Sequence, residues 1–179
     1  MSAWNRLERA TDFEAGVNTQ LDSLSLPNPR QYQRLLDLYL QDLVNRRILA
    51  GKRSRLRTHS DQFDNFVIDQ GHWHGEPEEA PVESLHFPDG AKLGFIITLR
   101  ETPAGSRLVE ATFNLALPPK AGLKFLSIHI EAEAPKDPLG KSRSHCHPGF
   151  QSIHLPFPIM EPRAILDRIA FEIVLKFRR

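Results

Sequence analysis

Within ten positions near the end of the chain, HCHPGFQSIH, stand His145, Cys146, His147 and His154. His145 and His147 are two apart, so on an extended chain both imidazoles leave on the same side. Pro148 and Gly149 can turn the chain and bring His154 back beside them. Three imidazoles with one open position form the ligand set of a catalytic zinc site. The divalent ion expected there is zinc or manganese. Cys146 alternates to the other side and is no obvious fourth ligand. No acid stands between Ser142 and Met160, so a carboxylate supporting these histidines must come from elsewhere. His129 and Glu131 are the candidates for a fourth ligand or for moving a proton. Against this stands a structural reading. A histidine before Pro-Gly bonds to backbone in turns, and a histidine between Ile153 and Leu155 can simply pair across strands.

Other stretches carry weaker chemistry. In GHWHGEPEE, His72 and His74 share a side, Trp73 faces the other way, and Glu76, Glu78 and Glu79 follow. Glycines flank HWH, so this loop is able to close over a ligand and join the first cluster. The run RRILAGKRSRLR carries Arg46, Arg47, Lys52, Arg53, Arg55 and Arg57 and no acid. Clustered arginines neutralise phosphates, which makes this run the best nucleic-acid feature, with His59 as a stacking group. Part of it ends a helix, where cations are stabilised for local reasons. No zinc-finger, ribonucleoprotein or glycine-loop pattern accompanies it. Phosphate-loop and nucleophile-elbow motifs are absent. Asp61, Asp64 and Asp69 could hold magnesium but read more simply as a solvated edge.

These residues need elements to position them. Apolar spacing over residues 2–25 (Phe13, Val17, Leu21, Leu24) predicts a first helical segment. A second helix starts with Asn28 as cap, Pro29 at its first position and Gln31 completing a capping-box pattern. Its stripe runs from Tyr32 and Leu36 to Ile48, with Gly51 as its expected stop. A β-meander follows over 92–101, 106–117 and 123–133. Leu93, Phe95, Ile97, Leu99, Ala111, Phe113, Leu115, Leu117, Ile128, Ile130 and Ala132 share one face. Thr98, Arg100, Thr112, Asn114, His129, Glu131 and Glu133 share the other. A short strand is expected around Phe150 to Leu155, and a last helix from Glu161-Pro162.

The resulting expectation is one α+β domain over 1–179: helical to 51, sheet-forming over 52–160, and a C-terminal helix over 161–179. The sheet is mainly antiparallel, with two N-terminal helices and the last helix packed on one face. The net charge of +1 gives no field of either sign, so a charged partner must be recognised by a local patch. A single cysteine forms no intrachain disulfide and suits a reducing compartment. The N-terminus does not read as a signal peptide, no stretch is long enough to span a bilayer, and the expected location is cytoplasmic. Two functions follow. The leading one is a small soluble binding or accessory module that engages nucleic acid or a protein complex through the basic run and the polar sheet face. The alternative is a metal-dependent hydrolase, phosphodiesters among its substrates, built on the three histidines. Convergence of His145, His147 and His154 with His129 or Glu131 would favour the second.

Overall fold

The computed structural model describes residues 24–50, 55–73, 80–132, 144–149, 153–158 and 160–174. The β-meander is its centre. Strand β5 (Lys92–Thr102) pairs with β6 (Gly105–Ala116), and β6 with β7 (Phe125–Glu131), all antiparallel. On the β5 side, β3 (Phe66–Gln70) and then the edge strand β2 (Arg57–Ser60) extend the sheet. On the β7 side come β8 (Ser144–Pro148) and β9 (Leu155–Pro156). Two short strands, β1 (Ser25–Leu26) and β4 (Leu85–His86), pair with β6 and β5.

Alternation divides the sheet into two faces, as the sequence predicts. Leu93, Phe95, Ile97, Leu99, Ala111, Phe113, Leu115, Ile128 and Ile130 are buried in one cluster with residues of both helices. A bulge after Thr98 preserves this division: Thr98 faces Glu110, whereas Leu99 faces Leu108, leaving Val109 as the extra residue. The polar face keeps Glu110, Thr112 and Asn114 beside Glu131, His129 and Ser127.

Among the described residues there are two helices, not three. The expected first helix falls mostly outside them, and at its end Ser25–Leu26 are extended and paired with Ser106 and Arg107. Helix α1 (Pro29–Asn45) begins as expected, with the Asn28 side chain accepting from the Gln31 amide at 3.0 Å. It stops earlier than Gly51. Arg47 takes the left-handed conformation (φ 58°), and Ile48 N–H donates to Leu43 O while Arg47 N–H donates to Val44 O. This Schellman pair closes the helix and buries Ile48 beside Leu43.

Helix α2 (Pro162–Asp167) starts at the expected Pro162, capped by the Glu161 side chain, and continues as a π-helix over Arg168–Ile173. Two phenols bind it to α1: Tyr32 donates to Glu161 Oε1 and Tyr39 to Asp167 Oδ1, both at 2.6 Å. No helix among the described residues is long and apolar enough to cross a membrane.

Candidate metal centre

Residues 150–152 of the strand expected around Phe150 to Leu155 lie outside the described residues, and the SHCHP stretch is itself strand β8. Pairing with β7 decides this. Ser127 lies opposite His147, Ile128 opposite Cys146 and His129 opposite His145. Ile128 is a core residue, so Cys146 packs against the core and the two histidines flanking it emerge on the polar face. Burial raises the Cys146 thiol pKa. Gly149, at φ +77°, follows β8, and in β9 Leu155 pairs with Cys146 and Pro156 with His145. His154 precedes β9 immediately and thereby reaches the other two.

The convergence is close. The His147 and His154 ring centroids are 4.3 Å apart, and His145 lies 5.0 Å from each. One nitrogen from each of the three rings falls within 4.8 Å of the other two. Ligands of a tetrahedral zinc at about 2.0–2.1 Å stand about 3.4 Å from one another, so each ring would close by about 1 Å or less. His145 and His147 are buried and His154 is exposed, which leaves one side of the cluster facing solvent.

His129 completes a fourth wall. Its ring stacks on His145 (5.3 Å, 11° between planes) and meets His147 edge-on at 5.0 Å. Burial, followed by the neighbouring imidazoles, pushes its pKa down to about 4, so the ring is neutral near pH 7. His72 is among the groups that lower it, so the first histidine of HWH lies within electrostatic reach of the cluster; His74 is outside the described residues. The segment carrying His72 is held firmly. Its backbone N–H donates to Asp69 Oδ1 at 3.0 Å, and the Trp73 carbonyl accepts from Asn114 Nδ2.

Glu131 lies two residues beyond His129 on the same face, exposed and opposite Glu110. Both line a cavity of about 450 Å³ with Asp61, Phe63, Asn65, Thr98, Arg100 and Val109. A second cavity, about 560 Å³, opens by the N-terminal end of α1 beside His59, and neither cavity is lined by the clustered histidines.

The basic run is described only in part. Arg46 pairs with Asp42 at 2.8 Å, and Arg57 with Asp69 at 3.2 Å. Arg47 occupies the helix-ending turn, Arg55 is exposed, and Lys52 and Arg53 are outside the described residues. The three aspartates do not form a magnesium site. Asp61 is occupied by the Phe63 and Asn65 amides and the Asn65 side chain, while Asp69 holds Arg57 and the His72 amide.

Sequence reasoning missed Ser127 and the Trp73 carbonyl. Ser127 was findable, because it stands two before His129 on a strand and so shares its face. The Trp73 contact joins residues 41 apart and leaves no local signal. No family model, curated protein or solved structure matches the chain, so the chemistry of the site rests on its own residues.

Proposed function

We propose that the protein is a metal-dependent hydrolase whose single divalent ion is held by His145, His147 and His154. The observation that carries this reading is the convergence of three imidazole nitrogens within 4.8 Å on one face of the sheet. Three nitrogen donors without a carboxylate suit zinc better than manganese, which prefers oxygen ligands. His145, His147 and His154 would hold the ion, and the exposed His154 leaves the cluster open to solvent on one side. A zinc ion held there would activate water as a nucleophile near neutral pH.

Of the two proton-transfer candidates, Glu131 is the better base. It is exposed on the same face, whereas both His129 nitrogens face hydroxyls, Ser127 at 2.8 Å and Thr112 at 3.4 Å. The cavity of about 450 Å³ that Glu131 lines, which includes none of the clustered histidines, bears on the substrate class. Its carboxylates Asp61, Glu110 and Glu131 outnumber its single cation, Arg100. An anionic phosphodiester would be disfavoured there, so a neutral or cationic ester or amide fits better. The nucleic-acid reading is weakened because Arg46 and Arg57 already have carboxylate partners.

The test compares zinc-loaded protein on p-nitrophenyl acetate and on bis(p-nitrophenyl) phosphate. The reading expects the neutral ester to be favoured and Glu131→Gln to lower kcat on it. Equal rates for wild type and a His147→Ala/His154→Ala variant on both substrates would refute hydrolysis at this site.

A further inference from the structure

The hydrogen bonds behind the cluster fix the state of His129. Asn114 Nδ2 faces the Trp73 carbonyl, which can only accept, so the amide nitrogen must be the atom placed there. That leaves Asn114 Oδ1 as an acceptor, and the Ser127 hydroxyl donates its one proton to it at 2.5 Å. The Ser127 oxygen can then only accept from His129 Nε2 at 2.8 Å, so this nitrogen carries the hydrogen. The other ring nitrogen, Nδ1, is directed at Thr112 Oγ1, 3.4 Å away.

Resting on the metal reading above, we propose that His129 is a positioning residue and not a ligand, and that the chain Trp73–Asn114–Ser127–His129 couples the metal centre to the docked 71–73 segment. With Nε2 at Ser127 and Nδ1 at Thr112, His129 stands outside the group of nitrogens that converge from His145, His147 and His154. It offers its ring faces and edges. The ring backs His145 in a parallel stack and borders His147, limiting how far two ligands can swing from the ion.

The far end of the chain is equally constrained. Trp73 is buried, and its ring lies so close to Gly94 that a Cβ there would stand 2.7 Å from Trp73 Cζ3 and 2.1 Å from the Gly71 carbonyl. The segment therefore has little room to shift while Asn114 holds it. Supports behind metal-binding histidines are worth about 10–100-fold in affinity, and this chain reaches His145 and His147 through the packing of the His129 ring.

Trp73 is one of two tryptophans, so Trp4→Phe makes it the sole indole reporter. In that background, zinc should be titrated while emission and calorimetry are recorded. The expected result is one zinc per chain with a matching change in Trp73 emission. Asn114→Ala should weaken zinc by about 10–100-fold and uncouple the emission. Long-range ¹⁵N NMR should show His129 protonated at Nε2 and uncoordinated, both without zinc and with it. Should Asn114→Ala fail to fold, Thr112→Val tests the same ring from its other side and should also weaken zinc. Coordination shifts on His129 nitrogens, an Nδ1–H tautomer, or unchanged zinc affinity and emission in a folded variant would overturn the proposal. Absence of zinc binding in the parent protein would instead refute the metal reading and with it the coupling, while the metal-free spectrum would still decide the tautomer.

Discussion

His129 and His145 lie opposite each other on β7 and β8 with their rings 5.3 Å apart and within 11° of parallel. Sheet register produces this pair, because directly opposed residues of antiparallel strands share a face and stand side by side. The same register sets His147 beside the pair, one pleat along β8. His154, immediately before β9, joins them. Two of the three histidines are thus held by β-strand hydrogen bonds and the third by its link to a short edge strand.

Substitutions at the ligands should therefore differ. His154 is exposed, so His154→Ala is expected to abolish tight zinc binding while changing metal-free stability by no more than about 0.5 kcal/mol. His147 is buried, so His147→Ala should lose both zinc and stability. Calorimetric zinc titration alongside urea unfolding of each variant checks the contrast; equal stability losses at the two positions would contradict it.

Cys146 should be dispensable for the metal. Its side chain packs on the core face, opposite Ile128. Cys146→Ser is expected to bind the same one zinc per chain, and zinc should not protect the wild-type thiol from alkylation. Loss of binding in the serine variant would mean that the thiol ligates.

Much of this arrangement was legible in the sequence. The period-two alternation of Leu93–Leu99 and Ala111–Leu115 shows the meander and its two faces. The two-residue spacing of His145 and His147 shows that they share a side. The end of α1 was not legible, because a left-handed arginine at position 47 closes it where Gly51 was the obvious stop. Nor was β8, since a segment with two histidines and a proline has no apolar pattern of its own and becomes a strand by pairing with β7. The Trp73–Asn114 contact depends on distant chain segments meeting, which local periodicity does not encode.

The two tyrosine clips should control alkaline stability. Burial, reinforced by Glu161 beside Tyr32 and the Asp167 hydrogen bond on Tyr39, raises both phenol pKa values well above the usual range. A raised folded-state pKa means that the contribution is complete below the unfolded value of about 10 and is lost as pH rises above it. Tyr32→Phe should cost about 1–3 kcal/mol at pH 7, and the wild-type melting temperature should fall between pH 9 and about 11 more steeply than that of Tyr32→Phe/Tyr39→Phe. Parallel profiles would show that the phenols do not govern this transition.

Gly94 should tolerate no side chain. A Cβ there would meet the Gly71 carbonyl at 2.1 Å, a backbone atom that cannot move alone. Gly94→Ala is expected to cost about 1–3 kcal/mol and to displace the 71–73 segment, visible as a red shift of Trp73 emission in the Trp4→Phe background. A variant of wild-type stability with unshifted emission would show that the segment does not dock there.

Metal content of the protein purified without a histidine tag tests the central claim most directly. After zinc loading and removal of free metal, plasma emission spectroscopy should find one zinc per wild-type chain and none in His147→Ala/His154→Ala. Wild-type protein that retains no zinc, or a double variant that retains as much, would contradict a metal centre at His145, His147 and His154.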